Sequence, residues 1–140
     1  QGVLWSVGEL IAGMVLYIEG GALKFFYNGF GEFSELPAVP LNAGVREVAF
    51  DYEATGQRKG RGRLLIDGKP AMDWQPLSPS LMGGFHEGMD IGLDRRCPVD
   101  WCLFEKHGVF RYTGTIAEVT IAPGELAHDS ILRSSAPVKV

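Results

Sequence analysis

The sequence has little of what several functional classes require. Among 140 residues, acidic side chains outnumber basic ones by 17 to 13, and the net charge is −4. Because neutralising nucleic-acid phosphates requires a basic surface, this charge predicts no nucleic-acid partner. No apolar run approaches the ~18–20 residues of a membrane span. We therefore expect neither nucleic acid nor a membrane as a partner.

Sustained helical spacing is also missing, so we expect one short helix at most. In its place stand short apolar runs separated by turn residues, which include 19 glycines and 8 prolines. This pattern is typical of an all-β protein, either a sandwich or a barrel. Gly20-Gly21 and Asp67-Gly68 predict tight hairpins. The predicted strands include residues 3–7, 14–18, 23–28, 32–36, 47–53 and 63–66.

Two later segments, residues 89–94 and 110–121, are interpreted as the strands around which the chain is organised. In the second segment, Tyr112, Gly114 and Ile116 have one parity, whereas Val119 and Ile121 have the other. Since side chains alternate along a strand, we expect a β-bulge near residues 117–118 that swaps the faces. The segment is thus predicted to be the closing strand of a sandwich.

The length suits one domain. We expect a β-sandwich domain over residues 1–124, and an extended or partly disordered tail over residues 125–140. The basic cluster at residues 58–63 is interpreted as a solvated hairpin loop. The chain begins at Gln1 rather than Met, which we interpret as a processed end or an artificial boundary, so the sequence predicts no compartment.

Four pieces of the chain, in order, resemble a domain that follows the catalytic domain in a group of bacterial arylsulfatases. Residues 14–28 resemble its S-L-Y-x-x-D-G-K-L-x-Y-x-Y-N run, residues 48–52 an alternating strand, and residues 64–70 a hairpin. Residues 89–94 with Pro98 and Val99 resemble its D-V-G-x-D…P-V stretch, ahead of F-x-Y/F-T-G-T-I-x-x-V-T-I at residues 110–121. The resemblance implies an all-β, two-sheet antiparallel sandwich, a concanavalin-A/laminin-G-like jelly roll.

The chain departs from the motif on which sulfatase chemistry depends. That chemistry uses a Cys or Ser in C/S-x-P-x-R, converted to formylglycine, beside a divalent cation. Here Pro98 follows Cys97 directly, and no Arg lies two residues beyond the proline. We therefore expect this chain to be a non-catalytic accessory domain, and its partner to be the catalytic sulfatase domain of the same chain.

Cys97 and Cys102 leave three alternatives open. They are free thiols, or a small disulfide within the loop, or soft metal ligands together with His107. A zinc site needs four convergent ligands, and only these three lie close in sequence.

Asp90, Asp94 and Asp100 are candidate calcium ligands, since calcium takes six to eight oxygens and laminin-G-like sandwiches often bind it at a rim. The alternative is that Asp90 and Asp94 stabilise turns by accepting backbone amides. Glu87 with Asp90 could imitate a glycosidase pair, but positions three apart on a strand point to opposite faces. We expect no catalysis from them.

The connection at residues 95–109 is too long for an ordinary loop, and long ordered loops are usually functional. Arg95, Arg96, Trp101 and Phe104 are its candidate residues for domain docking or carbohydrate binding. Of the three tryptophans, Trp101 is predicted to be the exposed one. The competing function is a stand-alone carbohydrate-binding module, lectin-like and possibly dependent on calcium, in which exposed aromatic rings stack on sugars.

Overall fold

The computed structural model describes residues 1–78 and 87–125. Its elements in chain order are β1 (Gly2–Gly8), β2 (Ala12–Glu19), β3 (Ala22–Gly29), β4 (Phe33–Glu35), β5 (Val39–Pro40), β6 (Val48–Gly56), β7 (Lys59–Ile66), β8 (Lys69–Pro70), β9 (Gln75–Pro76), β10 (Met89–Ile91) and α1 (Trp101–His107). All strand pairs are antiparallel.

The strands form two sheets. Sheet A has the order β10-β1-β2-β3-β4, with β5 also paired to β3, and sheet B has the order β6-β7-β8, with β9 also paired to β7. The prediction of an all-β, two-sheet antiparallel sandwich with little helix is confirmed. Both predicted hairpin turns are present, because Gly20, Gly21, Asp67 and Gly68 all adopt the positive φ that such turns require.

Sheet A is buried on both faces. Side chains of one parity pack between the two sheets, and the members of that core are Leu4, Leu16, Leu23, Phe25, Tyr27, Leu36, Leu64 and Leu77. Side chains of the other parity pack beneath α1 and the segments around it, and they are Val3, Val15, Tyr17, Phe26, Val99, Leu103 and Phe110. This double burial explains why β2 and β3 are apolar at almost every position.

The basic cluster at residues 58–63 is not a loop, and that prediction is wrong. Only Gln57 and Arg58 form the turn, and β7 begins at Lys59. Gly62 of β7 is paired to Tyr52 and Gly60 to Ala54. A Cβ at Gly60 would overlap the Tyr52 ring. A Cβ at Gly62 would lie 2.9 Å from a ring carbon of Phe50. The glycines are therefore present because aromatic rings cover them.

The prediction of a strand over residues 110–121 is wrong, and so is the bulge placed near residues 117–118. Only an isolated bridge joins Arg111 to Val3. β10 already pairs with β1 from Trp5 to Val7, which leaves the incoming chain only the start of β1. The register shifts that do occur lie in β1, between Val3 and Trp5, and at the turn end of β6.

Candidate functional site

The connection after β10 contains the helix α1, so the expectation of an irregular loop over residues 95–109 is wrong in its centre. Asp100 caps the helix, because its Oδ1 accepts the Leu103 amide at 3.0 Å. Gly108 ends it with φ +64°, and its amide donates to the Phe104 carbonyl at 2.7 Å. Leu103 is the helical residue buried against sheet A. The helix is thus short, capped at both ends and fixed to the sheet.

The turn before α1 is stabilised by two aspartates. Asp90 accepts both the Arg95 amide at 3.0 Å and the Arg95 guanidinium at 2.8 Å. The Arg95 side chain holds the pKa of Asp90 below its usual range. Asp94 is buried and accepts the Val99 amide at 2.8 Å. Burial raises the pKa of Asp94 to about 6.

Glu19 fixes the other end of the helix. Its carboxylate lies 2.6 Å from Nε2 of His107, 2.6 Å from Nζ of Lys106 and 2.7 Å from Nζ of Lys24. Hydrogen bonds from His107, then from Lys106 and Lys24, lower the pKa of Glu19 to about 2. The His107 ring also stacks on Phe110, with ring centroids 4.0 Å apart. One carboxylate of β2 therefore binds α1 and β3 together.

The docking candidates fall into two groups on this connection. Trp101 is 46% exposed and its ring lies 5.4 Å from that of Phe104, one helical turn on. Trp101 is the exposed tryptophan, as predicted, whereas Trp5 and Trp74 are half-buried. Arg95 and Arg96 precede the helix; Arg95 is held by Asp90, and Arg96 lies 3.7 Å from Glu87. The aromatic pair is therefore the apolar part of this surface.

The remaining candidates are two cysteines and three aspartates. Cys97 and Cys102 are both free thiols, the first half-buried and the second exposed on α1. Within residues 1–78 and 87–125, no group of three or more His, Cys, Asp or Glu side chains converges as a metal site would require. Asp90, Asp94 and Asp100 each accept hydrogen bonds from the protein instead. Their binding of calcium stays a prediction.

A cleft of about 410 Å³ opens at the edge of sheet A. Its lining includes Tyr17, Lys24, Glu35 and Pro37. Burial raises the pKa of Tyr17, and the nearby charges of Asp100 and Glu35 raise it further. Sequence reasoning missed this cleft because its residues come from β2, β3, β4 and the segment that follows β4.

Arg61, Arg63 and Trp74 form a second polar surface on the outer face of sheet B. The guanidinium carbon of Arg63 lies 4.0 Å from the centre of the Trp74 ring, and that of Arg61 lies 4.8 Å away. The same arginines pair across the strand with Asp51 and Glu53. Cation–π and ionic contacts thus already engage these groups.

These features define a two-sheet antiparallel sandwich that carries a capped helix with one exposed aromatic ring, that of Trp101. No family model, no curated protein and no solved structure matches the chain. These comparisons lend no support to the arylsulfatase resemblance, which stays a prediction. Over the part of the chain that the structure describes, no helix is long and apolar enough to cross a membrane.

Proposed function

We propose that this chain is a non-catalytic accessory module of an arylsulfatase-like enzyme, and that it packs against or orients the catalytic domain through α1. The observation that carries the proposal is the exposed Trp101 ring, which packs beside the half-buried Phe104 on a helix whose ends are fixed by Asp100 and Glu19. A rigid aromatic pair is suited to docking, because little side-chain entropy is lost when a partner covers it.

The first test concerns catalysis. The purified 140-residue chain is incubated with an aryl sulfate, and we expect no release of the phenol. Hydrolysis that persists through successive purification steps, and that coelutes with the chain, would contradict the non-catalytic role.

The second test concerns docking and uses the longer protein that the reading frame encodes. Trp101→Ser should lower the melting temperature of the catalytic domain in that protein, because it removes an aromatic contact from the interface. Val109→Ser is the matched control, since Val109 is similarly exposed at 52% but lies beyond the helix. A reading frame without a C/S-x-P-x-R domain, or equal effects of the two substitutions, would reject the proposal.

A second candidate is a stand-alone carbohydrate-binding module. It is favoured by the polar cleft lined by Tyr17, Lys24 and Glu35, and by the exposed ring of Trp101. A glycan array with and without a chelator tests it, with Glu35→Ala and Trp101→Ser as variants. Calcium at Asp90 would have to displace Arg95, so calcium-dependent binding predicts release of that side chain.

A further inference from the structure

β6 is an edge strand with an open side. It is nine residues long and, among the described residues, pairs only with β7. The carbonyl of Glu47, just before β6, accepts a hydrogen bond from the Asp67 amide at 2.9 Å. Glu47 and Asp67 are therefore one of the hydrogen-bonded pairs of the antiparallel ladder. Because antiparallel pairs alternate, the backbone groups of Val48, Phe50 and Tyr52 then point away from β7. They form a template for another strand.

Natural edge strands usually carry a feature that blocks pairing, and β6 has little of this kind. It contains neither Lys nor Pro, and its charged side chains, Asp51 and Glu53, are bound to Arg63 and Arg61. Its core-facing side is also incompletely covered, because Tyr52 is 38% exposed whereas Leu64 on β7 is fully buried. A further strand beside β6 would complete both the ladder and the core.

The same chain carries a segment with strand character and no ladder. Residues 115–121, Thr-Ile-Ala-Glu-Val-Thr-Ile, are rich in β-branched side chains, yet no strand is formed there. Ile116 packs against the core between the sheets. Ile121 is 69% exposed. Val119 is half-buried. The segment therefore begins anchored and ends with the Ile121 side chain in solvent.

The strand with the open edge and this segment both pack against the core between the sheets, through Phe50 and Ile116. The Phe50 ring of β6 lies 6.4 Å from that of Trp5 on β1, whereas Pro76 of β9 shares a cavity with Tyr27 and Ser34. Phe50 also stacks on Phe25 of β3, with ring centroids 4.0 Å apart, so β6 lies over the middle of sheet A. Ile116 approaches Gly92, which directly follows β10.

We propose that residues 115–121 of one copy add as a strand to the β6 edge of a second copy. A two-fold axis would let each copy supply its segment to the other. Val119 and Ile121 would then extend the apolar face made by Phe50 and Tyr52. Within residues 1–78 and 87–125 of a lone chain, neither the edge nor the segment has a ladder partner.

The test measures mass and amide exchange on the 140-residue chain. Light scattering across a concentration series should reach twice the chain mass of 15.3 kDa. Val119→Pro, which removes a ladder donor, should return the particle to a single chain. Ala122→Pro is the matched control, because the same ring then lies just outside the paired segment, and it should leave the dimer intact.

Amide exchange by NMR provides an internal control. Val48, Phe50 and Tyr52 should exchange at least tenfold more slowly in the native dimer than in Val119→Pro, while Ala49 and Asp51, which face β7, should be unchanged. Three outcomes would overturn the proposal: a single chain at all concentrations, a single chain whose open-edge amides are protected by its own segment, and a dimer that persists in Val119→Pro.

Discussion

Glu19→Gln should destabilise the fold in a strongly pH-dependent way. The carboxylate is only 13% exposed and contacts three basic side chains on β3 and α1. Those contacts lower its pKa from 4.5 to about 2. At about 1.36 kcal/mol for each pKa unit, the ceiling is about 3 kcal/mol.

Screening reduces that figure, because Lys106 is 64% exposed and Lys24 is 34% exposed. We expect a loss of about 1–2 kcal/mol in the free energy of unfolding at pH 7. The sign follows from linkage: a carboxylate with a lowered pKa stabilises the fold above its ordinary pKa, and loses that effect as pH falls toward the folded value. The difference between the two proteins should therefore shrink between pH 5 and pH 2.

Urea unfolding of both proteins, followed by circular dichroism over this pH series, measures the difference. Glu53→Gln is the matched control, because the pair between Glu53 and Arg61 is about half exposed on both sides. It should change stability by less than about 0.5 kcal/mol. A Glu19→Gln effect that is constant from pH 7 to pH 2, or no larger than that of the control, would refute the role assigned to Glu19.

Three further predictions follow from burial and packing. The free energy of unfolding of Asp94→Asn should increase relative to that of the native chain, by up to about 3 kcal/mol, as pH rises from 4 to 7. The reason is that a buried carboxyl with a raised pKa costs stability once it ionises. Urea unfolding across that range measures the gain, and a difference between the two proteins that does not change with pH would contradict it. Gly62→Ala should cost about 1–3 kcal/mol through overlap with Phe50, whereas Gly88→Ala, with open space around it, should be nearly neutral in thermal unfolding. Trp101→Ser should change the stability of the isolated chain by less than about 0.5 kcal/mol, and a larger loss would show that the ring supports the fold rather than a partner.

Features set by a few adjacent residues were predictable from the sequence. The turns at Gly20-Gly21 and Asp67-Gly68 depend on backbone conformations that those residues adopt readily, so the hairpins followed. The capping pattern of α1 was also present, with Asp100 before it and Gly108 after it. It was overlooked because the helix has seven residues, too few to establish a hydrophobic period.

The candidate site was less predictable, because its contacts join distant parts of the chain. Glu19 meets His107 across 88 residues, and neither residue type signals the other. The docking residues were named because they lie in one long connection, and Trp101 was correctly predicted to be exposed. The two-sided burial of sheet A could not be inferred, since it depends on where the helix packs.

The wrong prediction at residues 110–121 separates strand propensity from strand formation. A helix satisfies its backbone within the segment, so caps and length are enough to define α1. A strand requires a neighbouring strand with a free edge at the right distance. Most of the free edge of β1 is already paired with β10. Residues 115–121 therefore have the composition of a strand without its ladder, and among the described residues β6 has an edge without a second neighbour. Whether residues 115–121 form a strand therefore depends on whether a partner outside a single copy of the chain offers them a free edge.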